Sequence, residues 1–428
     1  MHILYFHQHF STPDGSIGTR SYEISLEMIR RGHTVTMVCG TYQGAVTGLQ
    51  GLPQKGLREG RVDGIRVLEI QLPYSNHDRL LKRSITFLRF AFKSIRIALR
   101  TKYDLLFATS TPLTAGIPGI VMRVLKPRRR FVFEVRDLWP ELPREMGVIR
   151  NPLLLGLLSF LEWLSYRAAH ACIGLSPGIV SGIQKRCPKK KPVTMIPNGC
   201  DLDLFPPDTN APPHTPPASP PASTSAPDPK IKLKAIFTGA HGQANGLDAV
   251  LDAARVLQER HREDIQVVFL GDGKLKPKLQ QRAASENLHI CQFHAPVPKR
   301  ALPAIFQEVG VGLMILKNVP AFYEGTSPNK FFDYLAAGLP VLNNYPGWIS
   351  QQIQAQDCGI VVPPDDPSAF ADALEFLADH PEGRQRMGHN ARRLAVSEFD
   401  RKTLAAQAVI FLENICNPGA IPLEPPPR

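Results

Sequence analysis

The chain has 428 residues, 43% hydrophobic and 21% charged, which suits two soluble globular domains of about 150–200 residues each and excludes fibrous or disordered classes. Its seven cysteines stand singly, with no CxxC pair and no zinc-finger spacing, so a reduced cytosolic protein without disulfide framework or bound metal is expected. The net charge of +12 calls for an anionic partner, and with no helix-turn-helix, zinc-finger or RNP signature this points away from nucleic acid and toward an anionic membrane surface.

The N-terminus has no basic stretch followed by an apolar run, so residues 2–6 read as a buried strand rather than a signal peptide. A loop with Gly15 and Gly18 follows, then a helix over 20–31 stopped by Gly32, then a strand over 34–38. This strand–loop–helix–strand unit predicts a doubly wound parallel sheet. Further strands are expected at 105–109, 131–135, 171–175 and 193–196, each followed by a polar or Pro/Gly segment. Ligands of open parallel sheets bind beyond the carboxyl ends of strands, which marks 136–141, 176–178 and 197–201.

Two stretches of the first half suggest lipid. In 80–102, Lys82, Arg89, Lys93, Arg96 and Arg100 recur at helical spacing, as do Ile85, Leu88, Phe92, Ile95 and Leu99. Such a basic amphipathic helix either lies in an anionic interface or packs its apolar face on the core. Residues 152–164 are strongly apolar but too short to span a bilayer, and read as a core helix, with acyl docking as the other use.

Residues 206–229 are Pro/Ala/Ser-rich without a large apolar residue. They cannot join a core and predict a semi-extended linker between domains 1–205 and 230–398. The second half restarts with a strand at 233–238, a Gly-rich loop at 239–246, a helix from 247, strands at 266–270 and 310–316, and a turn at 271–274.

Candidate chemistry follows from charge at helix starts. Ser327 as N-cap with Pro328 at the first helical position predicts a helix over 328–337 stopped by Gly338. Its third residue is Lys330, a cation opposing the helix dipole unless an anion sits there. Lys330 and the free amides then make a phosphate site, with Asn329 on the same face and Asp333 one turn on, suited to ribose hydroxyls. Gly239, Gly242 and Gly246 allow close backbone approach to that ligand. His241 either donates to a phosphate or sugar hydroxyl or is an exposed loop histidine. Arg20 repeats the cation-at-helix-start pattern, explained by a facing phosphate or by solvation. Asp137 is a candidate for the acceptor hydroxyl, or else pairs with Arg136. The sequence reads without a GxSxG elbow, an HExxH or a GxxxxGK[ST] P-loop, so a covalent hydrolase or NTPase is not expected.

Together the segments GSIGTRSYEISLEMIRRGHTVTMV, EVRDLWPELPREMGVIRNP, LSPGI, IPNGCDLDLF, TGAHGQANGLDAVLDAA, SPNKFFDYLAAGLPV and VVPPDDPSAFADAL resemble the retaining GT-B glycosyltransferases of family 4. The middle motifs are most similar to the O-antigen L-fucosaminyltransferase branch. The resemblance implies an α/β fold of two Rossmann-like domains facing across a cleft, with a last helix in 399–428 crossing back to the first domain. It implies a retaining glycosyltransferase moving an N-acetylated amino sugar from a UDP-sugar to a polyprenyl-diphosphate-linked acceptor, in cell-surface polysaccharide synthesis at the inner face of the bacterial plasma membrane. It implies no cofactor, no metal and no protein nucleophile; the leaving diphosphate takes the acceptor proton. Lys330, Asp137 and Arg20 are then the catalytic candidates. Substrate contacts would come from Gly15, Gly18, Gly239, His241, Gly242, Asn245, Gly246, Glu324, Ser327, Asn329 and Asp333. The sequence departs from the family where two glutamates stand eight residues apart: Asp333 holds the second position and Gly325 the first, with Glu324 beside it. The alternatives are a UDP-sugar 2-epimerase on the same plan and a non-catalytic, nucleotide-binding, membrane-associated protein.

Overall fold

The computed structural model of the chain describes residues 1–75, 78–110, 112–206 and 230–417. The first domain contains strands β1 (His2–Phe6), β2 (Thr34–Tyr42), β3 (Leu57–Val62), β4 (Ile65–Tyr74), β5 (Leu105–Thr109), β6 (Arg130–Val135), β7 (Ala171–Gly174) and β8 (Val193–Met195). They form one sheet in the order β3-β4-β2-β1-β5-β6-β7-β8. Its centre is buried on both faces, which is why β1 and β5 read as unbroken apolar runs. The hairpin β3–β4 is antiparallel and is absent from the sequence reading. Its turn is Asp63-Gly64, both at positive φ (49° and 83°), the geometry that asparagine, aspartate and glycine tolerate.

The second domain contains β9 (Leu233–Thr238), β10 (Ile265–Leu270), β11 (Cys291–His294), β12 (Val311–Met314), β13 (Val341–Asn343) and β14 (Gly359–Val361). They form a parallel sheet in the order β11-β10-β9-β12-β13-β14. The helix Arg401–Cys416 packs on the first domain, placing Leu404, Val409, Phe411 and Leu412 beside Ile3, Tyr5 and Ile24. Burying each such side chain contributes roughly 1.5–3 kcal/mol. Glu413 fixes its register by accepting from Arg31 and His33, each at 2.7 Å. Apart from Pro206, the Pro-rich stretch 206–229 lies outside the described residues, as does the tail from 418.

Two expectations for the first-domain helices are corrected. The Pro152–Ala168 helix is not a core helix: Leu153 is 84% exposed, and Leu157 and Phe160 are also exposed. It turns Glu162, Ser165 and Tyr166 inward instead. The reason is a polar anchor, since Glu162 accepts from the Tyr166 hydroxyl at 2.7 Å and pairs with Arg186. In the Leu80–Arg100 helix the inward residues are Thr86, Phe90, Ala91, Ser94 and Ala98, mostly small. The core alternative for its large apolar stripe therefore fails at Ile85, Leu88, Phe92 and Leu99, which face out as Leu81 does, while Ile95 is half-buried. The Ile117–Leu125 helix packs between these two, and its Val124 and Leu125 are exposed as well. Among the described residues no helix is long and apolar enough to cross a membrane.

Candidate active site

A cleft runs between the domains, and two adjoining cavities of about 180 and 430 Å³ occupy it, sharing Ile17 and Tyr42. The smaller is lined by Ser16, Ile17 and Tyr42–Gly44 from the first domain and by Thr238–Ala240, Leu270–Gly273 and Pro296–Val297 from the second. The larger has His7, His9, Gly18, Tyr74, Arg83, Arg136 and Asp137 on one wall and Leu316 and Thr326–Asn329 on the other. Both lie beyond the carboxyl ends of strands, where parallel sheets bind ligands.

Lys330 lines neither cavity but lies behind the second-domain wall, against Gly239. Its ammonium donates to Asn245 Oδ1 at 2.7 Å and lies 4.0 Å from the Phe237 ring centroid. It pairs with no carboxylate among the described residues, and burial pushes its pKa down to about 7. Asn245 in turn donates to the Ala240 carbonyl at 2.6 Å, which fixes the loop around the lysine. Gly239, at φ +127°, follows β9, and a Cβ there would sit 3.6 Å from Lys330 Cε. Gly246, at φ +55°, lets the loop press on the Lys317 backbone. A Cβ on Gly242 would meet nothing within 4 Å, so no protein contact demands glycine there.

Several sequence expectations are corrected here. Ser327 does not cap the helix, which runs Asn329–Ala336 with Pro328 in extended conformation before it. The Ser327 hydroxyl accepts instead from the Asn198 amide at 3.0 Å, tying the first domain to the helix start. Lys330 is thus the second helical residue, and the amides of Asn329 and Lys330 precede the first turn bond, from Phe331 to Pro328. His241 is neither exposed nor hydrogen-bonded: its ring is wholly buried among Phe237, Phe269 and Phe293, with both nitrogens unpartnered. Burial holds it neutral, at about 4. Asp333 does not face the cleft. It is buried 3.1 Å from Lys299, in a cluster with Asp201 and Arg401, and burial pushes its carboxyl up.

Arg20 is also corrected. It is buried and committed, donating to Glu134 at 2.9 Å and to the Pro197 and Ile196 carbonyls at 2.5 and 2.9 Å. Burial alone would raise Glu134, but the charges of Arg20 and Arg136 outweigh it and hold the carboxyl below its ordinary value. The cation at this helix start is therefore answered by the protein itself. Glu324 is exposed and does not line either cavity; its carbonyl accepts from the Ser176 hydroxyl at 2.7 Å.

Gly15 and Gly18 serve contact between domains. The Gly15 carbonyl accepts from the Lys299 amide at 3.0 Å, and a Cβ on Gly18 would lie 2.7 Å from Asn329 Nδ2. Asp137 lines the larger cavity without an ion pair to Arg136 among the described residues, and burial pushes its carboxyl up. Residues that the sequence reading passes over include His7, His9, Tyr42, Tyr74 and Arg83, and Gly271–Gly273, read chiefly as a tight turn, line the smaller cavity. The His-Gln-His run after β1 and the Gly-Asp-Gly turn after β10 were the available signals. The run Gly174-Leu175-Ser176-Pro177-Gly178 also has G-x-S-x-G spacing. Its serine caps the following helix and bonds Glu324, with no histidine partner among the described residues, so it is no nucleophile elbow.

Residues 15–199 match the family described as Glycosyl transferase 4-like domain, and residues 223–394 match Glycosyl transferases group 1. Each half of the chain thus matches a glycosyltransferase domain family, and its two Rossmann-like domains facing across a cleft have the GT-B fold. It is similar to the alpha-D-kanosaminyltransferase of Streptomyces kanamyceticus, 26% identical over 38% of this chain and 41% of that protein. It is 29% identical to the D-rhamnosyltransferase WbpZ of Pseudomonas aeruginosa, over 36% of this chain and 39% of that protein. The chain thus spans less than half the length of these relatives. Among solved structures, sucrose-phosphate synthase from Thermosynechococcus elongatus superposes with a TM-score of 0.73 at 16% identity, over 97% of this chain and 98% of that one. Anabaena HepE in complex with UDP gives 0.63 at 15% identity, over 97% and 100%. These two likenesses concern the fold.

Proposed function

We propose that the protein transfers a sugar from a nucleotide-diphosphate sugar, of the UDP class, to an acceptor held by the first domain. The observation that carries this is Lys330: a cation beside free helix amides, held by a neutral asparagine and lacking a carboxylate counter-charge. A diphosphate supplies the missing charge, and developing charge on that leaving group is what a glycosyltransferase must stabilise. The adjoining smaller cavity, between Thr238–Ala240 and Gly271–Gly273, suits the nucleoside. HepE, a protein of the same fold, is known in complex with UDP, which agrees with this assignment.

The finer reading is retention of anomeric configuration, with an N-acetylated amino sugar passed to a lipid-linked saccharide for a cell-surface polysaccharide. The sequence resemblance to the L-fucosaminyltransferase branch supports it. So does the exposed apolar face of the first domain with its neighbouring Arg89, Lys93, Arg96 and Arg100, which suits an anionic membrane. The test is Lys330→Ala. Turnover with a UDP-sugar and a membrane-extract acceptor should fall by about 10²–10³-fold while the circular dichroism spectrum is unchanged. An unchanged rate rejects the donor site. Release of an epimerised UDP-sugar in the absence of any acceptor favours the epimerase alternative instead.

A further inference from the structure

The first-domain wall of the cleft holds positive charge that the donor assignment does not use. Arg136 follows β6, Arg83 lies in the first turn of the Leu80–Arg100 helix, and both line the larger cavity. Neither makes an ion pair with a carboxylate among the described residues. Among the described residues Arg83 Nε has no hydrogen-bond partner and its guanidinium lies 5.9 Å from the Phe87 ring centroid, while Arg136 contacts His7 Nε2 at 3.4 Å and feels Glu134, which Arg20 already pairs, and Asp137. Arg20, in the same domain, shows the contrast, with three oxygen acceptors, one of them the buried Glu134 carboxylate.

The field of the two arginines reaches their neighbours. His9 is pushed down to about 3, first by burial and then by Arg136 and Arg83; His7 is lowered by burial and Arg136. Neither histidine adds charge, and neither supplies a counter-charge. Tyr42 and Tyr74 pack on His9 with ring separations of 4.6 and 5.7 Å, giving a firm floor beside the cations. Partly buried guanidiniums without a counter-ion are costly, and their planar forks match the oxygens of a phosphoryl group.

We infer that Arg83 and Arg136 form an anion subsite that holds a phosphoryl group of the acceptor against the first domain. This rests on the glycosyl-transfer reading and adds to it the two residues that would hold a phosphorylated acceptor. The donor diphosphate is the other anion in the cleft, but Lys330 and the helix amides on the opposite domain already answer it. Asp137, on the same wall, is held toward its neutral form by burial and suits an acceptor hydroxyl rather than a phosphoryl oxygen. A phosphoryl group reaches such a subsite either on a lipid or on a soluble sugar phosphate, and the test separates the two.

The protein is saturated with UDP and titrated by calorimetry with farnesyl diphosphate in detergent or with glucose 1-phosphate. The expected result is uptake of one further equivalent of at least one probe, weakened at least tenfold by Arg83→Gln and less by Arg83→Lys, with UDP affinity unchanged. Binding of the farnesyl probe alone assigns a lipid source, and of glucose 1-phosphate alone a soluble one. Failure of both probes with UDP bound overturns the subsite, as does loss of UDP affinity in Arg83→Gln equal to the loss of probe. If UDP does not bind the wild type, the donor assignment fails. Titration of Lys330→Ala with the same probes, with and without Arg83→Gln, then decides the subsite separately.

Discussion

Burial pushes the Lys330 ammonium down to about 7, so the free protein loses this charge as pH rises through neutrality. A bound diphosphate favours the charged form and raises that pKa, so donor binding takes up a proton above pH 7. UDP affinity should therefore weaken between pH 7 and 9. Lys330→Arg, which stays charged throughout, should flatten the profile, and calorimetry in buffers of different ionisation enthalpy should read the proton uptake in the wild type alone. A flat wild-type profile would remove Lys330 from the donor site. Arg20 belongs to the other kind of buried cation. Arg20→Ala leaves the buried Glu134 without its ion-pair partner, and should lower unfolding stability by about 3–5 kcal/mol, measured by denaturant titration. The sequence presented these two cations alike, each at a helix start. The partners 85 and 114 residues away, Asn245 and Glu134, separate them.

The helices of the first domain carry the clearest reversal at the scale of elements. The sequence pattern of 80–102 gives an amphipathic helix, and the helix forms, from Leu80 to Arg100. Which face turns inward was not legible, because Ala91, Ser94 and Ala98 are weakly apolar and the inward face was chosen by close packing on the neighbouring helix. Replacing outward Leu81 and Phe92 by serine should change stability by no more than about 0.5 kcal/mol each, as expected at exposed positions. The same double variant should lose sedimentation with phosphatidylglycerol vesicles, and wild-type binding should weaken with salt. Retained vesicle binding would separate this face from the membrane. The hairpin β3–β4 was legible in principle, through Asp63-Gly64 between alternating residues. Its charged outer strand, with Arg58, Glu59 and Arg61, masked the pattern.

Across the whole molecule, one buried ion cluster joins the domains beside the hydrogen bonds that Asn198, Ser176 and Gly15 make across the cleft. Lys299 and Asp333 come from the second domain, Asp201 from the end of the first, and Arg401 from the start of the returning helix. Removing Lys299 leaves Asp201 and Asp333 near one another with a single cation. Lys299→Ala should cost about 3–5 kcal/mol and resolve calorimetric unfolding into two transitions, where a single transition at the wild-type temperature would show that the cluster does not couple the domains. The cluster also explains why Asp333, one turn from Lys330, was misplaced by periodicity alone: its neighbours belong to other elements.

The sequence by itself determined the two alternating halves, most of the parallel strands and the position of Lys330 near a Gly-rich loop. These are local properties, written in apolar periodicity, glycine placement and helix-end chemistry. Tertiary structure alone decided which charges are free. A counter-charge far along the chain pairs with Arg20 and Asp333, whereas Lys330, Arg83 and Arg136 make no ion pair among the described residues, because ion pairing depends on distance in space and not on separation in sequence.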